Sequence, residues 1–125
     1  MQTLAVLVCL ALPAGDAEKP LGPVAAREKV GQKITVEMTV QSAKDRLEKR
    51  GEIYLDAEAD FRDPKNFAVV ITRAGAEKLK AKGIADPAEH FKDKTIRATG
   101  TVKEVDGVPR IEIDEADQIK TVEKK

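Results

Sequence analysis

The sequence predicts a mainly β domain, a five-stranded Greek-key barrel with one helix between its third and fourth strands. Three observations predict it. Residues 94–114 read KTIRATGTVKEVDGVPRIEID. Within them Ile96, Ala98, Gly100 and Val102 alternate with Thr95, Arg97, Thr99 and Thr101, and Ile111 and Ile113 alternate with Arg110, Glu112 and Asp114. That period of two marks half-buried strands. Between the two runs, Asp106-Gly107 supplies a two-residue hairpin turn, in which Gly107 tolerates a positive φ. Upstream, a helix-period segment follows the short apolar run Phe67–Thr72.

Bulk properties bound what this barrel can be. A chain of 125 residues supports one domain with one core. Lys+Arg 22 against Asp+Glu 22 leaves no net charge, so no global field draws in nucleic acid or anionic lipid. Hydrophobic residues at 42% suffice for a core, and interspersed charges suit a solvated surface. Aromatics are scarce: Tyr54, Phe61, Phe67 and Phe91 are the whole supply.

The elements follow in order. Leu4–Ala14 is an apolar run of signal-peptide length, too short to span a bilayer, and Gly15-Asp16-Ala17 offers a cleavage site before Glu18. Residues 1–17 are therefore expected to be an export signal, although Met1-Gln2-Thr3 carries no Lys or Arg. A buried N-terminal strand or a misassigned start is the alternative. Export would place the protein in the periplasm or outside the cell, with no membrane span after cleavage. Cys9 lies inside the run, so the cleaved chain has no thiol for disulfides, thiolate catalysis or metal ligation.

Residues 18–23, EKPLGP, form a linker, and the folded domain runs from 24 to 122, with 123–125 a frayed tail. Val24–Val30 suits a short helical turn. Over Lys33–Gln41, Ile34, Val36, Met38 and Val40 share the inner face of the first strand. Ser42–Arg50 is polar, either continuing that strand into a loop or forming one exposed helical turn. Ile53, Leu55 and Ala57 mark the second strand, with Tyr54 and Asp56 outward. Glu58–Asn66 is a loop, where Pro64 excludes a central strand. The third strand is Phe67–Thr72. Thr72 caps a helix that ends at Gly83, with Ile84 folding over Leu79 in a Schellman ending. Asp86, Pro87 and Glu89 open a second helical turn with capping-box residues, and Phe91 closes one end of the barrel. Beyond the hairpin, Ala116, Ile119 and Val122 continue the last strand.

This order resembles the oligonucleotide/oligosaccharide-binding (OB) fold. The resemblance is carried by Val30–Val36, Phe67–Ile71, Asp93–Val102, the Asp-Gly hairpin and Pro109–Ile113. These are similar to the pattern of bacterial OB-like domains related to nucleic-acid-binding modules. The resemblance implies binding on the outer surface of strands two and three, flanked by the loops after strand one and between strands four and five. Mapped here, it points to Lys44, Arg46, Lys49, Arg50 and Tyr54, with Thr72 and Arg97 as weaker contacts. The implied ligand is single-stranded nucleic acid, oligosaccharide or another extended polymer. Against it, Asp45 and Glu48 offset the loop cations, which favours a solvated loop over a phosphate contact for Ser42–Arg50.

A cell-envelope structural or protein-interaction module is the other reading, favoured by neutral charge and by Ala68 and Val70 on the outer face. Catalysis needs a nucleophile, a base and an oxyanion donor held together. One histidine, His90, and one serine, Ser42, make no such set, so the expectation is no enzyme and no cofactor. Glu58, Asp60 and Asp63 share a loop, but their spacing fits no EF-hand, and no metal is expected.

Overall fold

The computed structural model describes residues 20–122. The expected signal at 1–17, with Cys9, and the tail at 123–125 lie outside the described residues. Helix α1, Pro23–Ala26, starts on its proline and runs into a 3-10 turn, Arg27–Lys29. Strand β1 follows at Lys33–Thr39, then β2 at Ser42–Arg46, a helical turn α2 at Leu47–Arg50, β3 at Glu52–Asp56 and β4 at Ala68–Thr72. After helices α3, Arg73–Ala81, and α4, Pro87–Phe91, come β5, Thr95–Val105, and β6, Val108–Ile113. A 3-10 turn, Ala116–Gln118, leads to β7, Ile119–Thr121.

The first strand is split, and its hydrogen bonds show why. Val40 exchanges backbone bonds with the β5 side, donating to the Lys94 carbonyl at 2.9 Å and accepting from the Asp93 N–H at 2.8 Å. Its neighbour Gln41 donates instead to the Asp56 carbonyl at 2.9 Å, on the β3 side. One ribbon therefore serves two neighbours, β1 pairing β5 and β2 pairing β3. Around the sheet the order is β1-β5-β6-β4-β3-β2, with β7 added on β5. The hydrogen-bonded sheet is not closed: β1 and β2 end it without pairing, and the chain itself spans the gap. β4 and β6 are parallel, and the other pairings are antiparallel.

The hairpin forms as its sequence demands. Val105 faces Val108 across the turn, and both turn residues take positive φ, Asp106 at 53° and Gly107 at 80°. That pair of values suits the right-handed twist of the flanking strands. Helix α3 begins with the Thr72 hydroxyl accepting from the Gly75 N–H at 3.2 Å. It ends in the Schellman pair, Ile84 N–H to Leu79 carbonyl at 2.9 Å and Gly83 N–H to Lys80 carbonyl at 3.0 Å. Asp86 caps α4 by accepting from the Glu89 N–H.

The end of the chain departs from expectation. Ala116, Ile119 and Val122 do not prolong β6; the chain turns and β7 runs back along β5. Gln118 makes the turn. Its Oε1 accepts from the Asp114 and Glu115 N–H groups at 2.8 and 2.9 Å, and its Nε2 donates to the Thr99 and Glu112 carbonyls at 2.9 and 3.1 Å.

The inward positions of every long strand meet in one core. Ile34, Val36, Met38, Ile53, Leu55, Val69, Ile71, Ile96, Ala98, Val102, Ile111 and Ile113 are all buried. Burying each large aliphatic side chain is worth about 1.5–3 kcal/mol. Phe67 and Phe91 complete the core, and the His90 ring meets Phe91 edge-on at 4.7 Å. Among the described residues no helix is long and apolar enough to cross a membrane.

Candidate functional site

Register sets the outer face of the barrel. Lys44 on β2 stands opposite Tyr54 on β3, Tyr54 opposite Val70 on β4, and Val70 opposite Glu112 on β6. The next row along is Ser42, Asp56, Ala68 and Arg110, and the row on the other side is Arg46, Glu52 and Thr72. Members of these rows other than Ser42, Thr72 and Glu112 line a groove of about 360 Å³, together with Arg50, Phe61 and the β5–β6 turn.

The floor of the groove is an ion-pair network. Arg110 reaches over β4 from β6, its Nη2 lying 3.3 Å from Glu52 Oε2 on β3 and 2.9 Å from Glu112 Oε2 on its own strand. Tyr54 donates its hydroxyl to the other Glu52 oxygen, Oε1, at 2.7 Å. Burial pushes the Tyr54 phenol above its ordinary value, and the Glu52 carboxylate adds to the rise while Arg50 opposes it. Tyr54 therefore stays a donor at neutral pH. Arg110 is 13% exposed, and among the described residues its Nε has no hydrogen-bond partner.

This bridge corrects one expectation. Ala68 and Val70 do face outward by register, but both are buried rather than an exposed apolar patch. Arg110 from β6 and Glu52 from β3 join across β4, and Ala68 and Val70 line the groove beside them. Asp56 is likewise on the outer face yet only 3% exposed. Asn66 Nδ2 donates to its carboxylate at 3.1 Å. Burial raises the Asp56 carboxyl above its ordinary 3.8, against the pull of the Asn66 bond and of Lys44.

Cations and rings make the rim. Phe61 projects from the 57–67 loop, 47% exposed. Lys44 Nζ lies 4.9 Å and the Arg62 guanidinium 5.7 Å from its ring centroid. Arg46 and Arg50 line the opposite end. Residues 42–46 form strand β2 instead of a loop, and 47–50 form the helical turn that is one of the two alternatives open from sequence. Asp45 accepts from the Leu47 N–H at 2.9 Å, and Arg73 donates to the Leu47 carbonyl at 2.8 Å, so α2 is held at its first residue.

No protein-family model matches the chain, and no curated protein does. Solved structures do match. Asparaginyl-tRNA synthetase from Pyrococcus horikoshii aligns with 84% of this chain at 12% identity, with a TM-score of 0.56. The match takes in 23% of the synthetase chain, so this protein corresponds to under a quarter of that enzyme. The OBody AM1L10, in a complex with hen egg-white lysozyme, aligns over 78% of this chain and 86% of its own, with 17% identity and a TM-score of 0.52. These likenesses, with the parallel β4–β6 pairing and the helix ahead of β5, decide the fold. It is OB-like.

In OB terms β1 and β2 are the bent first strand, β3 and β4 are strands two and three, and β5 and β6 are strands four and five. The groove lies on the outer surface of strands two and three. Of the residues singled out from sequence, Lys44, Arg46, Arg50 and Tyr54 line it together. Lys49, on α2, is not among the residues lining it. The Thr72 hydroxyl is engaged at the end of β4, donating toward the Ile113 carbonyl and Asp114 while capping α3. Arg97 sits on the β1–β5 part of the sheet, its Nε 2.7 Å from Glu37.

Glu52, Arg110 and Phe61 join the groove without having been singled out. Glu52 and Arg110 read locally as solvated charges on half-buried strands; only the parallel pairing of β4 with β6 brings them together. Phe61 carried one usable signal, a lone aromatic in the polar run EADFRDPKN. Asp60 and Asp63 are occupied within that loop, accepting from Arg62 and Lys65 backbone N–H groups. Among the described residues no group of three acidic, His or Cys side chains could hold a metal ion.

Proposed function

We propose that this protein is a non-enzymatic, exported OB-fold module of the bacterial OB-like type that binds single-stranded nucleic acid or a similar extended anionic polymer. One observation carries the reading: the groove on strands two and three combines three cations, Lys44, Arg46 and Arg50, with two rings, Tyr54 and Phe61. A general single-strand site needs that pairing, a cationic track for phosphates and aromatic faces for bases, each stacked base worth about 1–3 kcal/mol. The structural likeness to a tRNA synthetase agrees with a nucleic-acid ligand.

Fluorescence anisotropy with labelled single strands at low salt tests the reading. The Arg46→Ala/Arg50→Ala variant is expected to bind about tenfold more weakly and to lower the slope of log affinity against log salt by roughly 1–2. Absent binding at high micromolar protein, or a variant indistinguishable from wild type, overturns it.

The groove's own acids, Glu52, Asp56 and Asp106, favour a second reading, an envelope module that meets protein. A partner retained from the exported fraction after nuclease treatment, with no strand binding, supports that one. Export itself rests on Leu4–Ala14 and is read from the N-terminal residue of the protein recovered from the cell envelope. Glu18 or a neighbouring residue is expected there, and an intact Met1 in the cytoplasm sinks it.

A further inference from the structure

Glu52 has no obvious place in a site for a polyanion, because a carboxylate repels phosphate. Its setting suggests what it does instead. Tyr54 and Arg110 hold one bond on each of its oxygens, and an ionised carboxylate offers about four lone-pair sites, so each oxygen keeps one to offer. The two bonds also fix the carboxylate's orientation, and Glu52 remains 24% exposed on its side chain. A preorganised acceptor pair of this kind loses little freedom on binding.

We infer that Glu52 makes the groove guanine-preferring, by accepting the two adjacent donors of a guanine Watson–Crick edge. The inference rests on the single-strand reading proposed above. Among the four bases only guanine places an imino N–H beside an amino group, which matches a carboxylate's two oxygens. Thymine and uracil present one N–H between two carbonyls, and those carbonyls would face the carboxylate unfavourably. Adenine and cytosine set one amino group beside an acceptor. The cross-strand neighbour of Glu52 is Arg46, so a phosphate on the rim and a base on the floor are served within one row. Arg110 and Lys103 together balance Glu52 and Glu112, which leaves the rim to carry the backbone.

The test uses the full folded domain and labelled thymidine oligomers of about twelve nucleotides, in which one central position is dT, dG or deoxyinosine. A well-matched bidentate contact discriminates by roughly tenfold or more. The dG strand is therefore expected to bind about tenfold tighter than the dT strand. Deoxyinosine, lacking the amino group, is expected to lose most of that gain. In Glu52→Gln the ratio of dG-strand to dT-strand affinity is expected to fall below about twofold whatever happens to the absolute affinities, since a merely structural role would shift both strands alike and leave the ratio near tenfold. If the variant does not fold, the inosine strand on wild type still decides. Equal affinity for dG and dT strands overturns the guanine preference and leaves the single-strand reading standing. No binding of any strand overturns both.

Discussion

Replacing Asn66 with alanine is expected to remove about 3 kcal/mol or more of folding stability at neutral pH, and less in acid. The residue is fully buried, and its amide closes the 57–67 loop from within. Oδ1 accepts from the Glu58 N–H at 3.0 Å, while Nδ2 donates to Asp56 at 3.1 Å and to the Phe61 carbonyl at 3.3 Å. Its own carbonyl also accepts from Arg27 at 2.6 Å. Alanine keeps that last bond and strands the other three partners. A buried group left unsatisfied costs about 1–3 kcal/mol, more when charged.

The pH dependence follows from Asp56. Burial raises its native carboxyl above 3.8, so the native state holds a proton over a window where the unfolded chain has released it. Stability therefore falls as pH rises through that window. The Asn66 bond pulls the carboxyl back down; without it the native value climbs further and the fall is steeper. Denaturant titrations of both proteins between about pH 3 and about pH 7 check this. A loss that does not change with pH would remove Asp56 from the explanation. Because the same amide holds the Phe61 carbonyl, the variant should also misplace the ring on the groove's rim.

The second large effect is expected at Gly75. Its backbone packs against the end of β6, and a Cβ there would collide with the Ile113 carbonyl, whose carbon would stand 2.9 Å away and Ile71 Cγ2 3.3 Å away. Neither the carbonyl nor the strand can move far, since the Thr72 hydroxyl also donates to the Ile113 carbonyl at 3.0 Å. Gly75→Ala improves helix propensity by up to about 1 kcal/mol. Even so, we expect a net loss of about 3 kcal/mol, the upper range for overpacking. The thermal midpoint of the variant reads it directly: a drop of roughly ten degrees or more is expected, and an unchanged midpoint would falsify the close approach of α3 to β6.

How far the sequence reveals this protein depends on whether local signals or distant partners decide each feature. The Lys94–Asp114 hairpin is legible because alternation and the Asp-Gly turn are both local. The Schellman ending at Gly83 and the cap at Thr72 are legible for the same reason. The bend between β1 and β2 is not: Val40 is buried and Gln41 exposed, so the alternation passes through the break unaltered. Only the change of partner, from Lys94 to Asp56, reveals it. At the groove, Lys44 and Tyr54 follow from the strand period, whereas Arg110 depends on a parallel neighbour more than thirty residues distant. Thr72 was legible in both roles, contact and cap, and the structure shows its hydroxyl engaged in the second.

Both ends of the described chain pair with the β1–β5 part of the sheet. Leu21 bridges Val36 on β1, and β7 lies along the first half of β5 at Ile96–Ala98. Every residue lining the groove belongs instead to β2, β3, β4, β6, their connecting segments and the far end of β5. A tether, tag or surface anchor attached at either end would thus hold the domain by its back and present the groove outward.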